Sequence, residues 1–170
     1  MWRKNFSHGT KNLKIYPCDL LSARHIAKIA SIPSVAEPYF VGNYSNAIEM
    51  PRCAHWWQRC DDLVRLNTLN LAARNKYDEV VGFIQLLESR ISYFVAPQAW
   101  GKGLGFEMAE AVCGHYAQLL NISTMHASVI RENNNSRRIL EKVGFEFKGL
   151  DYRSWAGRRG VATMLKYQLR

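Results

Sequence analysis

Apolar residues recur along this chain in two rhythms. Short alternating or continuous apolar runs, bounded by turn residues, occur at LKIYP (13–17), LNTLNLAARN (66–75), VVGFIQLLE (80–88), SRISYFVAP (89–97), TMHASVI (124–130), FEFKG (145–149) and GVATMLKYQLR (160–170). Each reads as a strand. KYDE (76–79) makes the turn between two of them, and Pro97 stops a third. In the last run Val161, Thr163, Leu165, Tyr167 and Leu169 share one face.

Steps of three and four mark the helices. In LLSARHIAKIA (20–30), Leu21, Ile26 and Ile29 lie near one stripe. From 103 to 120 the stripe is Phe106, Ala109, Val112, Cys113, Tyr116, Leu119 and Leu120. In RENNNSRRILEKVGF (131–145), Asn133 or Asn134 suits the N-cap, and Ile139, Leu140 and Val143 share a face. Gly144 suits the left-handed stop. PRCAHWWQRC (51–60) opens with a proline fit for a first helical turn, and Trp56 and Trp57 read as packing residues. SIPSVAEPYF (31–40), with two prolines, reads as loop. The predicted order is a strand meander followed by strand, helix, strand, helix and two strands. This is a mixed α/β (α+β) fold.

A length of 170 residues favours one compact domain. We take 1–12 as an N-terminal extension and 13–170 as the domain. The polar start lacks the apolar core of a signal peptide, and no run is long enough to span a membrane. The expectation is a cytoplasmic protein with no membrane partner. Cys18, Cys53, Cys60 and Cys113 form no CxxC pair and no zinc-spaced cluster with histidine, so no metal is expected. Lys plus Arg number 23 against 14 acids, a formal charge of +9. That suits a polyanionic partner or a phosphorylated cofactor. No basic run is interleaved with aromatics, so no direct nucleic-acid site is evident.

The stretch QAWGKGLG (98–105) joins a strand to a helix and has glycine at every second position from Gly101 to Gly105. The first amides of a helix lack intrahelical partners, and the helix dipole adds partial positive charge there. Glycines let the backbone turn and let a phosphate approach. A tight turn without a ligand is the plainer alternative. Lys102 is not followed by the hydroxyl of a Walker A loop, and Phe106 stands where a dinucleotide fingerprint needs its last glycine.

PQAWGKGLGFEMAEA resembles the coenzyme-A-binding signature of the GNAT superfamily of N-acetyltransferases, with Gln98, Gly101 and Gly103 at the Gln-x-x-Gly-x-Gly places. NNNSRRILEKVGF resembles the second signature of one branch, similar to the ribosomal-protein N-terminal alanine acetyltransferases. It is carried by Asn133, Ser136, Lys142, Gly144 and Phe145. The ordered pair spans 91–149.

The resemblance implies a mostly antiparallel sheet of six to seven strands, splayed at strands 4 and 5, with helices on both faces. It implies transfer of acetyl from acetyl-CoA to a primary amine by direct attack in one ternary complex. The backbone amides of Phe94 and Val95 would hold the pantetheine arm. Those of Trp100, Gly101, Lys102, Gly103, Leu104 and Gly105 would cradle the diphosphate, and Lys102 and Arg137 would add charge. Asn133 would bond the pantetheine, and Ser136 would protonate the departing thiolate. For Ser136 the competing role is a helix cap. Tyr93 either lines the site or packs in the core. The general base is open: Arg153 stands near the expected acid, leaving Asp151 or Glu107.

The implied acceptor is the N-terminal α-amine of a protein, such as a ribosomal protein. The alternatives are a small-molecule amine (polyamine, aminoglycoside or metabolite) and a non-catalytic CoA-binding module. A monomer or homodimer is expected.

Overall fold

The computed structural model describes residues 6–35, 68–154 and 161–170. Its strands are β1 (His8–Gly9), β2 (Leu13–Pro17), β3 (Thr68–Asn75), β4 (Val80–Leu87), β5 (Arg90–Val95), β6 (Met125–Ile130), β7 (Glu146–Ser154) and β8 (Val161–Leu169). They form one sheet in the order β1-β2-β3-β4-β5-β6-β8-β7. The count is eight rather than six or seven because the two-residue β1 pairs antiparallel with β2, His8 opposite Ile15. Part of the stretch read as an N-terminal extension thus belongs to the sheet.

Among the described residues three helices carry the layers: α1 (Leu20–Ala30), α2 (Leu104–Ala111) and α3 (Asn134–Val143). Helix α1 starts at a capping box in which Asp19 accepts from the Ser22 amide while the Ser22 hydroxyl accepts from the Asp19 amide. Helix α2 does not run evenly to 120, as the stripe predicts. It passes into a π-helical segment, Val112–Tyr116, and a last turn, Ala117–Leu119. Tyr116, fully buried, donates its hydroxyl to the Phe6 carbonyl over 2.7 Å. Residues 33–35 are helical rather than loop. The predicted helix at 51–60, with Trp56 and Trp57, lies outside the described residues.

Strand alternation sends side chains to two cores. Ile15, Leu71, Ile84, Ile91 and Tyr93 face α2 and α3, packing with Met108, Val112 and Leu140. Ala72, Phe83 and Phe94 face α1, packing with Ile26 and Ile29. Helices therefore cover both faces, and an enclosed core exists on each side of the sheet.

Every neighbouring pair is antiparallel except β5 and β6. Those two run parallel and share a single partner pair, Arg90 with His126. Beyond it they diverge. Antiparallel ladders hold on the outer edges of both strands, β4 on one and β8 on the other. The inner edges open toward the C-terminal end of β5.

Candidate active site between the diverging strands

The gap between β5 and β6 forms a cleft of about 820 Å³. Its walls are Tyr93 to Val95 of β5, Ser128 to Ile130 of β6, the loop and first turn of α2, and Asn133, Ser136 and Ile139 at the start of α3. Ser34 and Val35 also contribute.

The parity of β5 decides which backbone groups face this space. The β4–β5 ladder shows no register shift, and the Ala96 amide donates to the Val81 carbonyl over 2.8 Å. Counting back by alternation, Phe94 exchanges hydrogen bonds with Phe83, while Tyr93 and Val95 turn their N–H and C=O groups to the open edge. The expectation for Phe94 is thereby corrected: its amide is committed to β4. Val95 keeps its assignment to the open edge, and Tyr93 supplies the second outward amide. No pattern within the strand could have found it, because the parity depends on the partner β4.

The loop continues from this edge. A 3₁₀ turn, Pro97–Ala99, ends with the Trp100 amide donating to the Pro97 carbonyl at 3.1 Å. That bond removes Trp100 from the amides available to an anion. Gly101 and Gly103 both take positive φ, 74° and 75°, which L side chains rarely adopt. Gly103 is the N-cap of α2, and the first intrahelical bond runs from the Glu107 amide to its carbonyl. The amides of Leu104, Gly105 and Phe106 therefore have no intrahelical acceptor. A Cβ at Gly101 or Gly103 would meet nothing within 4 Å, so the backbone presents open space. Gly105 is different: a Cβ there would lie 2.9 Å from Cδ1 of Ile139, so this glycine sets the approach of α2 to α3. Lys102 folds back, its Nζ donating to the Gln98 carbonyl over 3.0 Å. Both side chains stand outside the cleft lining.

On α3 the N-cap is Asn133, whose Oδ1 accepts the Ser136 amide at 3.1 Å. Ser136 thus does not serve as the cap, and it lines the cleft. Tyr93 lines the same cleft. The Tyr93 hydroxyl is buried and completes no hydrogen bond among the described residues. Burial pushes its acidity well down, with the Ser136 hydroxyl opposing and the Cys113 thiol adding to that effect. Burial likewise pushes the Cys113 thiol up to about 12. Both groups are neutral near neutral pH.

The remaining candidates lie elsewhere. Arg137 turns away from the cleft: one guanidinium nitrogen reaches the Asn134 side-chain oxygen at 3.2 Å, and the group bears on Tyr167. The next residue, Arg138, lines the cleft instead. Successive helical residues point about 100° apart, so a one-residue difference decides this. Glu107 binds the Thr10 hydroxyl, the Asn12 amide at 2.6 Å and the Asn12 side chain at 2.9 Å. It ties α2 to the β1–β2 turn and does not line the cleft. Asp151 sits on β7 with its carboxylate 3.8 Å from Lys166, and its register partner Met164 is the one that reaches the wall. Among the described lining residues the carboxylate is Glu132. Among the described residues no histidine, cysteine and carboxylate groups cluster as a metal site.

These features fit acetyl-CoA. Unpartnered amides over open glycines suit a diphosphate, and two outward amides on a strand edge suit the amide groups of a pantetheine arm.

Residues 13–146 match a family model described as an acetyltransferase (GNAT) domain. The fold is shared by a ribosomal-protein-S5-alanine acetyltransferase from Vibrio fischeri (14% identity, TM-score 0.79, covering 96% of this chain and 95% of that one). It is shared equally by a spermidine N-acetyltransferase from Vibrio cholerae solved with CoA and spermine (14% identity, TM-score 0.79, covering 94% and 96%). In sequence the chain is 33% identical over 61 residues to a spermine/spermidine N(1)-acetyltransferase of Bacillus subtilis. That match covers 35% of this chain and 40% of the relative's length.

Proposed function

Because the chain belongs to the acetyltransferase (GNAT) family and is an acyl-CoA-dependent N-acetyltransferase, we propose that its acceptor is the N-terminal α-amine of a protein, such as a ribosomal protein. The observation that carries this reading is the sparse acidity of the cleft. Glu132 is its carboxylate among the described residues, and it is exposed. Asp151 and Glu107 are engaged with Lys166 and with the β1–β2 turn. An acceptor that needs little deprotonation fits such a site. With ordinary pKa values, neutralising an α-amine at pH 7 costs about 1 kcal/mol, against about 4.6 kcal/mol for a lysine-type amine.

The thioester of acetyl-CoA supplies an activated acetyl group. The chain's own residues then position and stabilise. The outward amides of Tyr93 and Val95 orient the acyl arm beside the acceptor, which makes the encounter effectively unimolecular. The amides from Gly101 to Phe106 hold the diphosphate, and Arg138 adds charge at the α3 side. Asn133, its Oδ1 committed to the helix cap, keeps its side-chain NH₂ for the pantetheine. Ser136 donates a proton to the departing sulfur.

A polyamine acceptor is the second reading, favoured by the spermine/spermidine relative. The two separate in one assay: CoA release from acetyl-CoA with an N-terminal peptide panel, spermidine and a peptide bearing only a free lysine. The α-amine reading expects the first to exceed the others in kcat/KM. A preference for spermidine or for the lysine peptide overturns it.

A further inference from the structure

We infer that Lys142, seated on the ring of Phe106, takes the 3′-phosphate of coenzyme A and so makes the donor site selective for that third phosphate. This rests on the reading of the glycine loop and the first amides of α2 as the diphosphate cradle.

The contact itself is the starting point. Lys142 Nζ lies 4.2 Å from the centroid of the Phe106 ring, within reach of a cation–π attraction. Phe106 is half-buried and lines the cleft. Its amide is one of those at the start of α2 that have no intrahelical acceptor. A Cβ at Gly105 would meet Ile139, so the first turn of α2 crosses α3 there. Lys142 stands nearly one turn on from Ile139. The ammonium is thus held beside the end of the cradle.

Among the described residues no carboxylate pairs with Lys142, and its side chain is exposed. The acids nearest to it in sequence are engaged: Glu141 by the Tyr167 hydroxyl at 2.9 Å and Glu146 by Lys148. The neighbouring cations have other places. Lys102 donates to the Gln98 carbonyl, and Arg137 bears on Asn134 and Tyr167. Arg138 lines the cleft, one turn before Lys142 and on nearly the same helix face. Arg138 and the α2 amides serve the diphosphate. Lys142 is the next cation along α3, on the side away from the helix start.

Coenzyme A carries, besides its diphosphate, a phosphate monoester on the ribose, at the end away from the acyl arm. The second ionisation of such a group is near about pH 6, so it is close to dianionic at neutral pH. It needs a cation of its own. A lysine side chain is flexible, and ordering it opposes binding. The Phe106 ring removes part of that cost by holding the ammonium in place before the ligand arrives. Phe106 is therefore a positioning residue, and Lys142 the group that binds. The plainer role for Lys142 is a charge in the last turn of α3, favourable to the helix dipole. That role affects stability and not the choice of ligand.

The test is calorimetry with CoA and with 3′-dephospho-CoA, beside melting temperatures. The wild type should bind CoA about tenfold more tightly, as one charged hydrogen bond at a solvent-reached site provides. Lys142→Gln should bring the ratio close to one by weakening CoA alone, and Lys142→Arg should keep most of it. Phe106→Leu should cut the ratio about threefold, the size of an exposed cation–π contact, and should leave the ratio unchanged in the Lys142→Gln background. Gly103→Val should weaken both ligands alike.

A wild type that binds both ligands equally overturns the inference. So does a Lys142→Gln protein that weakens both alike or neither. A lower melting temperature with the ratio intact leaves Lys142 as a helix-end charge only. If Phe106→Leu does not fold, the two Lys142 variants decide alone. Unchanged affinities in Gly103→Val would remove the diphosphate cradle, and this inference with it. Loss of both affinities there, with no change of ratio in Lys142→Gln, sinks only the role of Lys142.

Discussion

Trp100 donates its indole N–H to the carbonyl of Val95 over 2.7 Å. Val95 is the last residue of β5 and points its backbone to the open edge. The bond occupies the outward carbonyl and leaves the outward amide free. It also pins the glycine loop to the strand it follows, although the ring is half exposed. Trp100→Phe keeps a smaller aromatic ring and loses the bond. We expect about a fivefold rise in the KM for acetyl-CoA, the equivalent of about 1 kcal/mol, with kcat less affected. Steady-state kinetics at saturating acceptor check it.

Gly103→Val addresses the cradle. Its φ of 75° costs a side-chain-bearing residue about 1–2 kcal/mol. The new side chain would stand in space that is now open, where the diphosphate approaches. Calorimetry should show most of the CoA affinity lost. Retained affinity would remove the loop from the binding site.

Gly82→Ala separates packing from binding. The added methyl would lie 2.7 Å from Met108 Sδ and Cε and 3.1 Å from the Phe94 carbonyl oxygen. The methionine end can give way, but the β5 backbone cannot move without opening the ladder. A loss of about 1–3 kcal/mol in denaturant unfolding is expected, the size usual for overpacking.

Arg138→Ala should raise the KM for acetyl-CoA, because Arg138 lines the cleft. Arg137→Ala should leave that KM unchanged, because its guanidinium serves Asn134 and Tyr167. The reverse pattern would show that the two side chains exchange places on binding.

Glu107 gives a pH-dependent prediction. Burial raises its pKa, but hydrogen bonds from Thr10 and Asn12 outweigh burial and hold the carboxyl below its usual 4.5. A depressed folded-state pKa contributes stability that is present above 4.5 and lost as pH falls through the lower folded value. Glu107→Gln should therefore melt lower at pH 7 and show a weaker loss of stability on acidification below 4.5. The difference is about 1 kcal/mol or less, since solvent reaches the side chain. Thermal melts from pH 7 to pH 3 check it, and kcat should change little.

Local patterns carried far. The strands at 13–17 and 124–130 and the cap pair of Asn133 and Gly144 were readable because alternation and capping chemistry involve residues a few positions apart. The glycine loop was readable because positive φ restricts residue type at Gly101 and Gly103. Roles that hang on direction were not. Phe94 and Trp100 lost their assigned amides to β4 and to Pro97, and no periodicity reveals hydrogen-bond parity without the partner strand. Glu107 looked like a candidate base beside the loop, but its partners are Thr10 and Asn12, far away in sequence.

The sequence by itself determined most of the strands, the helices at 20–30 and 134–143, their order and the family, because these follow from side-chain periodicity and from backbone conformations that only certain residues adopt. Only the tertiary structure decided which edge of β5 opens, that Arg138 rather than Arg137 lines the cleft, and that the Tyr93 hydroxyl is buried. Those facts arise where segments distant in the chain meet, and the energy that sets them, burial and hydrogen-bond satisfaction across the sheet, belongs to no single stretch.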